Sequence, residues 1–299
     1  MAKLVKVLLY LLIPFICLFV AFQINVLLGW AVFVIGLGIM LWLLRGDLLT
    51  MIGNFKFHKD HGKGFLWFER ALKTGRMRPD NQLIYAYLLL RDGSIDKAER
   101  MINKTLFLSK KKVSADVLRG STLNLALIKW KRGNLKEAIA DMEGMYADGY
   151  RSTVHYGTLG YFYILDGQYQ KGLEFNREAH EYNEDDDIIY DNLALNCFLT
   201  GDIRTAADMY EEILEHHPAF IEPYYNYALV LEKMGDYESA MDLCRQALTY
   251  SEKFLSTVTH EMVENLKTRL EEGIRQAGGS IDGTNLEQMG GGQVQDEQV

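Results

Sequence analysis

The sequence contains few cysteines, prolines and histidines. Three cysteines in 299 residues, with no Cys-x-x-Cys pair, exclude a disulfide-stapled secreted scaffold and a zinc-ribbon array. Four prolines exclude a collagen-like chain. The histidine pairs His58-x-x-His61 and His216-His217 have no convincing cysteine or carboxylate partner at ligand spacing. We therefore expect no metal and no cofactor.

Motifs of catalysis are also missing. The chain has no Gly-x-Ser-x-Gly, His-Glu-x-x-His or P-loop pattern. The motif Gly36-x-Gly38 lies inside an apolar run, where the strand and helix that a nucleotide loop requires cannot flank it. We predict that the protein is not an enzyme. An enzyme with an unrecognised active site remains an alternative.

Two long apolar runs stand at the N-terminus. Residues 4–22 carry one charge, Lys6, and residues 26–44 carry none. Each run has about the 17–25 residues with which a helix crosses the hydrocarbon core of a bilayer. Only Gln23-Ile24-Asn25 separates the runs, which predicts two antiparallel transmembrane helices that place both chain ends on the same side.

Basic residues indicate the orientation of these helices. Lys3 precedes the first run, Lys6 lies near its start and Arg45 follows the second run, whereas the connection between the runs has no charge. By the positive-inside rule we predict a multi-pass protein of the plasma membrane with both termini in the cytoplasm. The alternative is a cleaved signal peptide, but Val20-Ala21-Phe22-Gln23 is a poor cleavage site.

The rest of the chain repeats every 34 residues. A turn of the form Gly-polar-x-x-x-small begins at Gly133, Gly167, Gly201 and Gly235. Before each turn, at a fixed offset, stands a small residue: Ala126, Gly160, Ala194 and Ala228. A fixed period of this length is typical of helical-repeat proteins. The turn at Gly93 lies 40 residues before Gly133, so about six extra residues belong to the connection 109–118.

This pattern resembles the tetratricopeptide repeat, a unit of two antiparallel helices joined by such a turn, and in particular the membrane-anchored bacterial proteins of that family. The resemblance implies that small residues at the fixed positions let the two helices of a unit approach closely. It covers about residues 45–254. The Cys-x-x-Cys metal module of the lipopolysaccharide-assembly type is absent.

We therefore predict an all-α fold in four parts. These are a two-helix transmembrane hairpin (1–44, with spans 4–22 and 26–44), a tetratricopeptide-repeat α-solenoid (45–254), a capping helix (255–277) and a disordered tail (278–299). The six repeats are 45–78, 79–118, 119–152, 153–186, 187–220 and 221–254, of which the first is degenerate because it has Lys59 at the position of the turn glycine.

No proline interrupts residues 26–58, so the solenoid is expected to join the membrane rigidly. The cap is expected to bury Val258, Met262, Leu266, Leu270 and Ile274.

The resemblance also implies a concave groove lined by positions 2, 5, 9 and 12 of each repeat. These positions predict an apolar, aromatic lining formed by Leu83, Tyr87, Leu123, Leu127, Trp130, Tyr161, Ile164, Leu195, Phe198, Tyr225 and Leu229, with Asp191 among them. The Lys/Asn set with which some family members clamp a terminal carboxylate is absent. An apolar lining favours a peptide or helix ligand held by side-chain burial. The open alternative is that some of these residues pack against neighbouring helices.

Charge is divided unevenly along the chain. Residues 1–152 contain 23 basic and 12 acidic side chains, and residues 153–299 contain 9 and 28. The basic half is expected to lie near anionic headgroups, with Lys56, Lys59, Lys63, Arg70, Arg76 and Arg78 closest to the membrane. The acidic half predicts an acidic face at Glu184, Asp185, Asp186, Asp187 and Asp191. The alternative is that these acidic residues are only a solvated surface.

The function predicted from these features is that of a membrane-anchored cytoplasmic scaffold or adaptor. We expect a protein or peptide partner, basic or apolar in character, the lipid bilayer as partner of residues 4–44, and no nucleic acid. A chaperone-like module or targeting receptor for hydrophobic client segments, at a translocation or assembly machine, is the alternative. Oligomeric state and the identity of the partner stay open at this stage.

Overall fold

The computed structural model describes residues 14–108, 114–276 and 278, and these residues form helices without any strand. The helices are α1 Pro14–Ile24, α2 Val26–Phe57, α3 His61–Lys73, α4 Pro79–Arg91, α5 Ile95–Leu108, α6 Ala115–Lys131, α7 Leu135–Ala147, α8 Thr153–Leu165, α9 Tyr169–Tyr182, α10 Asp187–Leu199, α11 Ile203–Glu215, α12 Glu222–Met234, α13 Tyr237–Ala247 and α14 His260–Gln276. The predicted all-α class is confirmed.

The chain divides into two compact units. The first consists of Met1–Leu88 and Asp96–Ser121, and the second of Leu89–Ile95 and Thr122–Val299. In the first unit α2 packs against α3, and the Asp47 carboxylate accepts hydrogen bonds from Arg78 Nε at 3.0 Å and Asn81 Nδ2 at 2.7 Å. These bonds join the C-terminal part of α2 to the start of α4.

Helix α2 is long enough and apolar enough to cross a membrane, and it is the one such helix among the described residues. Asn25 begins it by accepting a hydrogen bond from the Leu27 amide at 2.8 Å. The helix continues without a break past residue 44 to Phe57, so the predicted second span and the first helix of the degenerate repeat are one helix. Residues 4–13 of the first predicted span, 4–22, lie outside the described residues, and residues 14–22 belong to the short apolar helix α1.

The turn glycines end the first helix of each later pair. Gly93, Gly133, Gly167, Gly201 and Gly235 have φ between 74° and 95°, the left-handed region that favours glycine. At each of them the following amide bonds back to a carbonyl five residues earlier, as Asp202 N does to Cys197 O at 2.9 Å. The repeated sequence signal therefore corresponds to a repeated helix-ending motif.

The core of the second unit lies between successive helix pairs. The predicted small residues Ala126, Ala194, Ala206, Ala228 and Ala240 are completely buried there. In the pair α8–α9 the two small positions are glycines, and asparagine side chains fill the space beside them. Asn176 lies against Gly160, and its Nδ2 donates to Asn196 Oδ1 at 2.5 Å.

Helix α14 covers the end of the second unit. Val258, Leu266, Leu270 and Ile274 are buried as expected. The predicted burial of Met262 is wrong, because Met262 is 38% exposed and Val263 is buried in its place. The predicted disordered tail lies outside the described residues except for Gly278.

Candidate protein-binding surface

The predicted groove residues fall into two groups by burial. In the second unit seven of them are half-buried on the first helices of the pairs, and we call these the groove surface: Leu123, Leu127, Trp130, Tyr161, Leu195, Phe198 and Leu229. In the first unit Tyr87 on α4 is 38% exposed. All of these side chains keep surface that a ligand could contact.

Three predicted groove residues lie in the core instead. Leu83, Ile164 and Tyr225 are 7%, 7% and 8% exposed. Tyr225, on α12, belongs to the hydrophobic cluster that runs from α9 to α14. These residues support the helices that carry the groove surface and offer almost no area to a ligand.

An aromatic contact joins α6 and α8 at the centre of the groove surface. The rings of Trp130 and Tyr161 meet edge to face with centroids 6.4 Å apart, and Trp130 also contacts Phe162 at 5.6 Å. Edge-to-face packing of this kind stabilises aromatic pairs. Burial, together with the negative charges of Glu222 and Asp191, raises the pKa of the Tyr161 phenol, so its hydroxyl is protonated and able to donate at neutral pH.

A loop of the same chain lies beside this aromatic contact. Residues 254–257, which we call the tip segment, belong to the connection between α13 and α14. The hydroxyls of Thr257 and Tyr161 are hydrogen-bonded, and Ser256 O accepts from Lys131 Nζ at 3.2 Å. A short segment of the same chain is therefore already bound to Tyr161 of the groove surface and to Lys131 beside it.

Two charged side chains border the tip segment. Glu222 accepts a hydrogen bond from Ser256 Oγ at 2.6 Å, and the Lys131 ammonium lies 4.2 Å from the Trp130 ring centroid and 5.1 Å from that of Phe254. Burial lowers the pKa of Lys131, and the charge of Glu222 partly opposes this shift. The surface thus combines aromatic area with one cation and one anion.

Neither Lys131 nor Glu222 was a predicted site residue. Glu222 occupies the second position of its repeat, which the family resemblance assigns to the groove, so a signal for it existed in the sequence. Lys131 stands next to Trp130 but outside the assigned positions. Its role depends on a contact with Ser256, 125 residues further along the chain.

The predicted acidic face is smaller in the structure than in the sequence. Glu184 and Asp185 are exposed. Asp186 begins α10 by accepting a hydrogen bond from the Ile189 amide at 3.0 Å, and Asp187 bonds to His216 Nδ1 at 2.9 Å. These two carboxylates therefore also have structural roles.

The assignment of Asp191 to an exposed acidic surface is wrong. Asp191 is 4% exposed and accepts a hydrogen bond from Asn226 Nδ2 at 3.1 Å. Burial raises the pKa of the Asp191 carboxyl to about 7. A carboxyl group in this position contributes to the core of the second unit rather than to recognition.

The predicted membrane-proximal basic residues are exposed in the first unit. They are Lys56, Lys59, Lys63, Arg70, Arg76 and Arg78. Near the end of the apolar part of α2, the guanidinium groups of Arg45 and Arg76 lie 4.3 Å and 4.1 Å from the ring centroid of Trp42. Tryptophan and arginine at one level of a helix are typical of a membrane–water interface.

Residues 209–242 match the family model of the tetratricopeptide repeat. No curated protein matches the sequence. Among solved structures, a tetratricopeptide repeat protein from Parabacteroides merdae is similar, with a TM-score of 0.57, 16% identity, and coverage of 76% of this chain and 85% of that one. A thermophilic protein of this type from Thermus thermophilus gives a TM-score of 0.50 at 17% identity, covering 66% of this chain and 99% of that one. A chain of the APC/C hetero-tetramer Cut9–Hcn1 gives a TM-score of 0.55 at 15% identity, covering 78% of this chain and 40% of that chain.

These comparisons agree with the repeat seen in the sequence and with its helix pairs. The chain contains the tetratricopeptide repeat and has the α-solenoid fold of proteins built from it. Structural likeness at this level of identity shows the fold alone.

Proposed function

We propose that the protein is a membrane-anchored scaffold or adaptor that binds a protein or peptide partner through the groove surface. The observation that carries this proposal is the polypeptide segment bound to Tyr161, Lys131 and Glu222, beside Trp130. Aromatic side chains that keep exposed area beside a few fixed polar groups form the usual centre of a protein-binding surface.

The polar groups favour a defined peptide over many unrelated apolar clients. Lys131 binds a backbone carbonyl and Glu222 binds a hydroxyl in the segment that occupies the surface. A ligand without such groups would leave a half-buried ammonium and carboxylate without partners, which costs binding free energy. The chaperone-like alternative is therefore the weaker of the two hypotheses.

The exposed acidic residues have a secondary role in this proposal. Glu184 and Asp185 lie in the connection between α9 and α10 and can attract a basic partner before it docks. Exposed charges mainly affect the rate of association and are screened by salt. We assign them to steering and the groove surface to affinity.

The apolar part of α2 supports the membrane anchor. Its 19 residues, 26–44, would span about 28 Å, close to the thickness of the hydrocarbon core. Large apolar side chains on it are exposed, among them Leu27 at 79% and Trp42 at 54%. A helix in water would not leave so much apolar surface uncovered. We propose that this helix crosses the plasma membrane and continues into the first unit.

The finer topology follows from charge alone. We propose that residues 4–22 form a second span and that both termini and the repeat domain are cytoplasmic, because basic residues flank the two apolar runs and none lies between them.

Site-specific photo-crosslinking in native membranes tests the binding proposal. A photoreactive amino acid is placed at Leu127 on the groove surface or, as a matched control, at Lys136, which is exposed on the second helix of the same repeat. We expect a discrete cross-linked product from position 127 only. Trp130→Ala should remove most of that product, because the indole would provide much of the buried area.

Two results would contradict the proposal. One is equal cross-linking from positions 127 and 136, which would indicate collisions rather than docking. The other is a product from position 127 that Trp130→Ala leaves unchanged while the variant remains folded.

A further inference from the structure

We propose that the tip segment is an intramolecular ligand of the groove surface, and that the partner is a peptide which displaces it by presenting an aromatic side chain followed two and three residues later by hydroxyl side chains. The inference rests on the proposed function, because it concerns the same surface. It adds the chemical character of the partner and a reason why the surface is occupied when the partner is absent.

Both ends of the loop that carries the tip segment are anchored. Before it, the hydroxyls of Tyr250 and Tyr224 are 2.9 Å apart and their rings are stacked at 4.9 Å. After it, Val258 is 5% exposed and belongs to the core that α13 and α14 share. Between these anchors the chain could be shorter, yet it extends to side chains of α6 and α8.

Four contacts hold the tip segment, and they use three groups of the surface: the Lys131 ammonium, which makes two of them, the Glu222 carboxylate and the Tyr161 hydroxyl. The Phe254 ring lies near the Lys131 ammonium, and a β-carbon on Gly93 would be 3.4 Å from that ring. The Ser256 carbonyl and hydroxyl bind Lys131 and Glu222, and the Thr257 hydroxyl binds Tyr161. An aromatic ring, a carbonyl and two hydroxyls thus satisfy one cation, one anion and one phenol.

The same contacts make the tip segment replaceable. Phe254 is 37% exposed, and Leu255, Ser256 and Thr257 are only half-buried, so a small area is lost when the segment leaves. The anchor at Tyr250 uses none of those contacts, and Val258, although it is also bonded to Ser256 Oγ, is held by its burial in the core. A partner that offers the same groups and additional apolar area across Leu195 and Phe198 would bind more surface than the tip segment does.

The segment itself supplies the probe. A fluorescent peptide of residues 250–260 is added to the full-length protein in detergent micelles, and binding is followed by anisotropy. In the wild type the attached segment competes at high effective concentration, so binding should be weak. In the triple variant Phe254→Ala, Ser256→Gly, Thr257→Gly we expect at least tenfold tighter binding.

Two controls define the site. A peptide with the same three substitutions should not bind, and Lys131→Met in the triple variant should weaken binding of the unaltered peptide at least tenfold. A triple variant that stays folded but binds the peptide no better than the wild type overturns the inference, as does binding indifferent to Lys131→Met.

Hydrogen exchange keeps the inference testable if the triple variant does not fold. The acceptors of the Ser256 and Val258 amides, Lys253 O and Ser256 Oγ, lie within the loop, so these amides should exchange at least tenfold faster in Lys131→Met than in the wild type if docking holds the loop in place. Equal rates in the two proteins would overturn the inference. The cross-linking experiment is independent of this outcome. A partner cross-linked at position 127 with the same yield from wild type and triple variant would refute the intramolecular ligand and retain the proposed function, whereas no product from either would refute the proposed function.

Discussion

Replacing Gly160 with alanine should destabilise the second unit, although alanine is the better helix former. A β-carbon at Gly160 would lie 1.8 Å from Oδ1 and 2.9 Å from Cγ of Asn176. Asn176 is completely buried and bonded to Asn196, whose Nδ2 donates in turn to Tyr169 O at 3.1 Å. The asparagine therefore has no free direction in which to move.

The opposing contributions can be compared. Alanine gains about 0.5–1 kcal/mol over glycine within a helix. Overpacking costs about 1–3 kcal/mol, and leaving a buried amide without its partner costs a further ~1–3 kcal/mol. The expected net effect of Gly160→Ala is a loss of about 2–4 kcal/mol in the free energy of unfolding.

Denaturant unfolding of the full-length protein in micelles, followed by far-UV circular dichroism, measures this loss. Gly144→Ala is the matched control, because Gly144 is exposed in the interior of α7 and nothing lies within 4 Å of an added β-carbon. That change should stabilise the protein by about 0.5–1 kcal/mol. In an Asn176→Ala background, Gly160→Ala should cost nothing. A Gly160→Ala protein as stable as the Gly144→Ala protein would refute the reasoning.

Three further predictions concern charge, packing and topology. Because the pKa of Asp191 is raised from 3.8 to about 7, the folded state holds a proton that the unfolded state releases, so this group lowers stability as pH rises from about 4 to about 7. Asp191→Asn should remove this pH dependence, which amounts to at most about 4 kcal/mol of unfolding free energy. The same dependence of stability on pH in Asp191→Asn and the wild type would contradict the prediction. Ala206→Leu should cost about 1–3 kcal/mol in the same unfolding assay, because Ala206 is completely buried; a wild-type midpoint would show that the site can expand. A reporter fused after Val299 should be active only in the cytoplasm and one inserted at Asn25 only outside, and external protease that digests the repeat domain in intact cells would contradict this topology.

The helix pairs could be predicted from sequence because their signals are local. A left-handed turn favours glycine wherever it occurs, so Gly133, Gly167, Gly201 and Gly235 mark the ends of helices without reference to the rest of the chain. Full burial of the small residues follows from the same register. The absence of proline between residues 26 and 58 allowed a rigid junction but did not decide whether α2 is one continuous helix, because Gly46 and Gly53 weaken that stretch; the structure shows α2 unbroken to Phe57.

The errors in the site arose from contacts between distant residues. Asp191 was grouped with its acidic neighbours, but its position in the core depends on Asn226, 35 residues away. Met262 and Val263 are adjacent apolar residues, and only the approach of α14 to the core decides which is buried. The tip segment fell at the predicted border between the last repeat and the cap. Its partner Tyr161 lies 96 residues from Thr257, a distance that no local pattern encodes.

The most direct test of partner binding at the groove surface is the dissociation rate of the partner identified by cross-linking. Trp130→Ala should increase the dissociation rate at least tenfold, because buried aromatic area sets the lifetime of such complexes. The salt dependence of the dissociation rate should be the same in Trp130→Ala as in the wild type. Neutralising the exposed acidic residues with Glu184→Gln and Asp185→Asn should slow association and leave dissociation unchanged. Dissociation that is indifferent to Trp130→Ala, yet accelerated by loss of the two acidic residues, would contradict the assignment of affinity to the groove surface.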